Sequence, residues 1–202
     1  MIFAEEFQAL NDAVYYWSMY DPAMKCDLGA TGLRTAGGLV VVDPIPLAEA
    51  AWNELMDQAP LRAILITNGN HARQAPALRE KYHVPVVTAP ATRKDLAELK
   101  PDVLLLENEF IYGIAAVPIP GATPGETAFY FRPAGALVIG DAVINVDPQK
   151  GLELLPEKYC ADPAQNRTSL RKLLDLDFNL ITFAHGLPVT ARAREKWAAL
   201  LA

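Results

Sequence analysis

Thr67-Asn68-Gly69-Asn70-His71-Ala72-Arg73 places two amides, an imidazole and a guanidinium directly behind the apolar run Ala63–Ile66. A short apolar run rich in isoleucine predicts a buried strand, Ile64–Thr67, and a loop at its end is where binding or catalytic groups are commonly mounted. The residue types make a poor zinc site, because amides are weak zinc ligands and a guanidinium has no lone pair to give. Other polar groups stand at the ends of further apolar runs: Asp43, Thr123 to Glu126, Asp141 and His185. If those strand ends meet along one edge, they build one site. His185 there could serve as a general acid or base near its reference pKa of ~6.5, or simply hold Asp141 or backbone. His71 is expected to cap its own loop, Asp43 to cap loop amides, Gly125 to make a turn and Glu126 to be solvated at the surface.

The elements that would position these groups follow from the pattern of the chain. Strands are expected over 13–20, 39–42, 64–67, 84–89, 103–106 and 114–119, and a hairpin over 127–131 and 136–139 around "RPAG". A last strand covers 179–183. Helices are expected from Pro46 through Met56, over 76–82, 91–99, 165–176 and 191–201, two of them with a proline in the first turn. Hairpins mixed with alternating strands and helices suit a layered α/β sandwich better than an all-parallel sheet. No linker or low-complexity stretch divides the chain, so a single domain over residues 1–202 is expected.

Composition narrows the function. Of 202 residues, 51% are hydrophobic and 21% charged, which is enough apolar material for a sizeable core. The net charge of −6 does not attract nucleic acid or an anionic membrane, so a small molecule is the expected partner. Two distant cysteines, Cys26 and Cys160, in no CxxC pattern, argue for a reducing compartment. With no visible signal peptide or apolar run of membrane-spanning length, the expected location is the cytoplasm. Nothing in the composition decides between a monomer and a homo-oligomer.

Five motifs in order, "VVVDP" (40–44), "TNGNHAR" (67–73), "GATPGE" (121–126), "IGDAVI" (139–144) and "AHGLP" (184–188), resemble the metallo-β-lactamase fold. The resemblance implies a four-layer αββα sandwich of two mixed β-sheets flanked by helices. It also implies two metal positions. The first would fall on Asn68, Asn70, Ala122 and Asp141; the second on Ala72, Arg73, Asp141 and His185. The family's THxHxDH pattern is replaced here, and only Asp141 and His185 keep ligand types.

A degenerate site is therefore expected, with no cofactor. If a metal is held at all, it would be one divalent ion (Zn²⁺, Mn²⁺ or Mg²⁺) on Asp141, His185, Asn68 and Asn70. Arg73 is expected to stand in for the metal by a bidentate contact to Asp141, since a buried unpaired carboxylate is costly. The leading function is binding of a small anionic ligand by Arg73, His71, Asn68, Asn70 and Thr123, with Asp141 and His185 as the catalytic candidates. The alternatives are a hydrolase of ester, thioester or phosphodiester bonds with an altered or mononuclear site, and a non-catalytic scaffold.

Overall fold

The computed structural model describes residues 2–106 and 109–202. A seven-stranded sheet is formed in chain order by β1 (Gln8–Asn11), β2 (Val14–Asp21), β3 (Cys26–Thr35), β4 (Gly38–Val42), β5 (Leu61–Leu65), β6 (Val86–Thr88) and β7 (Val103–Leu104). Its first four strands are antiparallel; from β4 onward the pairing is parallel. The second sheet contains β8 (Phe110–Ile111), β9 (Ile114–Pro118), β10 (Thr127–Phe131), β11 (Ala136–Ile139) and, after the small ribbon β12 (Val143–Ile144) and β13 (Glu153–Leu154), β14 (Leu180–Phe183). Its order is β14-β11-β10-β9-β8, with only β11 and β14 parallel.

Two-period alternation makes the layers. One set of side chains from each sheet, including Val40, Val42, Leu65 and Val87 opposite Phe129, Phe131, Val138 and Leu180, forms the core between the sheets. The outer face of the first sheet is covered by α1 (Glu49–Gln58) through Trp52 and Leu55, and by α2 (Ala75–Tyr82) through Ala75. The outer face of the second is covered by α3 (Pro163–Lys172) and α4 (Ala193–Leu201) through Leu170, Trp197 and Leu201. The result is the four-layer αββα sandwich with two mixed sheets. No helix among the described residues is long and apolar enough to cross a membrane.

Several elements differ from the sequence expectation for identifiable reasons. The helix expected from Pro46 starts at Glu49, because Ala4 pairs with the chain here: its N–H donates to Pro46 and its carbonyl accepts from Ala48. The strand expected to reach Thr67 ends at Leu65, where Asp43 captures the Thr67 amide. Residues 91–99 form a single 3₁₀ turn, Pro90–Arg93, and further turns, with the Thr92 hydroxyl bonded back to the Ala89 carbonyl. The long strand β3 carries Gly29 and Gly32, which mask its strand character. Those glycines serve packing: a Cβ at Gly29 would collide with the Phe183 carbonyl oxygen of the other sheet.

Candidate functional site

The strand ends converge as the sequence suggests, and each polar group is pinned by its own local structure. Asp43, just past β4, adopts a left-handed φ of 49°. Its Oδ1 accepts from the Thr67 amide at 2.9 Å and its Oδ2 from the Thr67 hydroxyl at 2.6 Å. Asp141 follows β11 across Gly140, where a Cβ would collide with Thr67 Oγ1 and come within 2.6 Å of Glu126 Oε1. Only glycine lets Asp141 approach the loops that surround it. His185 follows β14 and is clamped by its neighbours: its carbonyl accepts from Asn145, and the Gly186 carbonyl accepts from the Tyr16 hydroxyl. Gly186 itself has φ 93° and leaves no room for a side chain against Asn145.

His71 is not a loop cap turned toward backbone. It is buried, with Nδ1 2.9 Å from Asp43 Oδ2 and 2.8 Å from Thr67 Oγ1. Its Nε2 faces the interior of the site, 3.2 Å from Asp141 Oδ1. That approach is close in distance but not aligned as a hydrogen bond, so among the described residues Nε2 is a buried ring nitrogen without a hydrogen-bond partner. His185 Nε2 lies 3.1 Å from the same Asp141 oxygen. Donor atoms of His71, Asp141 and His185 all lie within 4.8 Å of one another.

The two asparagines act as donors. Asn68 Oδ1 accepts from the Asn70 amide at 2.9 Å, which turns its Nδ2 toward two carboxylates, Glu126 Oε2 at 2.7 Å and Asp141 Oδ2 at 3.1 Å. Asn70 Nδ2 donates to Asp141 Oδ2 at 3.3 Å. Glu126, expected at the surface, is 3% exposed. It accepts from the Thr123 hydroxyl at 2.7 Å and from the Ala142 amide at 3.3 Å. Proximity to Asn68 and Gly140 brings it into the site, and the turn that precedes it in "GATPGE" gives no sign of that in sequence.

Arg73 also takes a different part from the one expected. Its guanidinium donates to the carbonyls of Gly29 at 2.9 Å, Asp43 at 3.3 Å and Ala184 at 3.2 Å, and makes no hydrogen bond or ion pair with Asp141 among the described residues. The bidentate contact is absent because Asp141 is already surrounded by Asn68, Asn70, His71 and His185. Arg73 instead ties β3, the end of β4 and the end of β14 together, from a strained φ of 37°. The two cysteines are free and half-buried. Cys26 Sγ lies 3.6 Å from His185 Nδ1.

The electrostatics follow from burial and these contacts. Burial drives the His71 ring toward neutrality, but the Asp43 charge and the close approach of both carboxylates outweigh it and raise its pKa to about 9. Burial lowers the His185 pKa, only partly opposed by Asp141. Asp141 is held well below the usual carboxylate range: burial opposes this, and the contacts with His185 and His71 overcome it. Burial and the Asp141 charge push Glu126 up to about 7, against the hydrogen bonds from Thr123 and Asn68.

A family model described as "Metallo-beta-lactamase superfamily" matches residues 8–199. The chain belongs to the metallo-β-lactamase superfamily. A curated protein of Bacillus subtilis (strain 168), "Probable metallo-hydrolase YflN", is 29% identical over 85 residues, covering 38% of this chain and 32% of that protein. The match thus spans about a third of the curated relative's length. Among solved structures, DIM-1 metallo-β-lactamase exposed to ceftazidime aligns over 100% of this chain and 98% of its own, at 13% identity and TM-score 0.79. A metallo-β-lactamase from Pontibacter korlensis aligns over 100% and 99%, at 19% identity and TM-score 0.76. A metallo-β-lactamase family protein from Thermus thermophilus aligns over 96% and 79%, at 20% identity and TM-score 0.68. At these identities the structural likeness concerns the fold.

The superfamily implies metal, and the two positions fare differently. At the first, Asn68 and Asn70 offer N–H groups to Asp141 rather than oxygen lone pairs, and Ala122 offers a methyl group. These residues do not fit a cation. At the second, Ala72 and Arg73 supply no ligand, but His71, at the neighbouring position, offers a residue of ligand type there. Its Nδ1 rests on Asp43, as metal-binding imidazoles rest on a carboxylate, and its Nε2 is left without a hydrogen bond. Two imidazole nitrogens and a carboxylate oxygen converging from His71, His185 and Asp141 do fit one ion.

Proposed function

We propose that this chain is a hydrolase of ester or thioester bonds that works with a single divalent ion held by His71, Asp141 and His185. The observation that carries the reading is the convergence of His71 Nε2, Asp141 Oδ1 and His185 Nε2, with the first of these buried and unbonded. A lone pair facing a carboxylate oxygen at 3.2 Å is repulsive unless a positive charge, a proton or a metal ion, lies with them. Two imidazoles and one carboxylate suit Zn²⁺ or another first-row divalent ion better than Mg²⁺. The usual dinuclear centre is not expected, because the first position is closed by donor amides and a methyl group.

When bound, such an ion supplies Lewis acidity to a carbonyl group or a water. The chain's own residues set up the rest. Asp43 fixes the His71 ring through Nδ1 and keeps Nε2 aimed inward. The amides of Asn68 and Asn70 hold Asp141 Oδ2, leaving Oδ1 to face the two rings. Glu126, titrating at about 7, holds or releases a proton near neutrality while its Oε2 accepts from Asn68 and Thr123.

A metal-free site that takes a small anion is the second reading, but the Asp43 and Asp141 carboxylates that raise the His71 pKa to about 9 also neutralise the ring's charge. That reading is also weakened by Arg73, whose donors are engaged by three carbonyls. The test is metal content and p-nitrophenyl acetate turnover of wild type, His71→Ala and His185→Ala after dialysis against Zn²⁺. The one-ion hydrolase predicts one equivalent in wild type, its loss in both variants, and turnover that follows the metal. Metal-free wild type whose melting point is raised by phosphate would select the anion reading.

A further inference from the structure

Beside the cluster lies a cavity of about 340 Å³. Its walls come from the segments after β6 and β7, from β9 and from the 120–127 loop, and include Ala89, Leu105, Ala116, Pro118 and Ile119. Among the described residues, Glu126 and Thr127 are the lining residues with polar side chains. Both are satisfied from within the protein: the Thr127 hydroxyl donates to the Gly125 carbonyl, and Glu126 accepts from Asn68, Thr123 and Ala142. Among the described residues the cavity therefore offers no free side-chain donor to a phosphate or carboxylate.

The same Glu126 joins this cavity to the metal-ligand cluster. Asn68 Nδ2 bonds both Glu126 Oε2 and Asp141 Oδ2, so one amide separates the cavity wall from the cluster. We infer that the cavity is the subsite for an apolar acyl chain, whose carbonyl group lies at the Glu126 end, on the side nearest His71, Asp141 and His185. This rests on the hydrolase reading and deepens it: the acyl part of the ester or thioester is an apolar chain. In the reaction the acyl C–O or C–S bond breaks, water supplies hydroxyl to the acyl carbon, and its remaining proton goes to the departing alcohol or thiol.

Uncleavable methyl ketones separate the subsite from catalysis. The full chain is titrated with butanone, hexan-2-one and octan-2-one by ligand-observed NMR, and assayed in parallel on p-nitrophenyl acetate, butyrate, hexanoate and octanoate. Each buried methylene is expected to raise ketone affinity about fourfold. Ala89→Phe, from a half-buried wall position, should abolish that rise. Ala91→Trp, at an exposed position on the same wall, serves if the first variant melts early. Equal affinity for all three ketones, or a rise that survives a folded wall variant, overturns the subsite. A ketone rise without ester turnover keeps the subsite and sinks the hydrolase reading; ester turnover with flat ketone affinity does the reverse.

Discussion

Binding of a metal ion to this site must displace a proton from His71, and the structure fixes how strongly. The ring titrates at about 9 because Asp43 Oδ2 lies 2.9 Å from Nδ1 and Asp141 Oδ1 lies 3.2 Å from Nε2. At about pH 7 only about one ring in a hundred is neutral, so apparent metal affinity should be roughly 100-fold, or about 3 kcal/mol, below its value above pH 9. His185, whose pKa is lowered, is already mostly neutral and should add little to the proton count. The assay is chelator-buffered Zn²⁺ titration across that range, paired with calorimetry in buffers of different ionisation enthalpy. Affinity should climb about tenfold per pH unit between about pH 7 and pH 9, with about one proton released per ion. Affinity independent of pH over that window would refute the reasoning, since it would mean that the ion does not compete with the His71 proton.

Three further outcomes test the surrounding network. Arg73→Met should destabilise the fold by about 3 kcal/mol in urea unfolding, because three carbonyls from separate segments lose their donor, and Arg73→Lys should recover little of it. Glu126 has a folded pKa raised to about 7, so its contribution to stability is full below its unfolded pKa and lost as pH rises toward 7. Relative to Glu126→Gln, wild type should therefore lose up to about 3 kcal/mol between about pH 4.5 and pH 7 in chemical denaturation, and a constant difference would contradict the assignment. Gly140→Ala should cost about 1–3 kcal/mol in the same measurement, because its Cβ would collide with Thr67 Oγ1 and meet Glu126 Oε1 at 2.6 Å.

The sheets were legible in sequence where strands are continuous apolar runs, as in Leu39–Val42 or Ala136–Ile139, because burial on both faces leaves a strong local signal. β3 was not, since its Gly29 serves contacts with the Tyr16 side chain and the Phe183 backbone that exist only after folding. Motif order identified the edge where Asp43, Asn68, Asp141 and His185 meet. It misplaced the His71, Arg73 and Glu126 side chains there for a physical reason. Spacing says which strand end a residue follows, while the direction of a side chain in a tight loop is decided by partners far along the chain. His71 turns inward because Asp43 and Thr67 hold Nδ1. Arg73 turns away from Asp141 because Gly29, Asp43 and Ala184 present carbonyls to it. Glu126 is buried because Asn68 and Ala142 receive it.

The most direct test of the account is anomalous scattering at the zinc edge from crystals of the full chain equilibrated with Zn²⁺. A single peak bounded by His71 Nε2, Asp141 Oδ1 and His185 Nε2, and absent from His71→Ala crystals, is the predicted result. A peak coordinated by Asn68 or Asn70, a pair of peaks, or no peak at the three-residue cluster would contradict it.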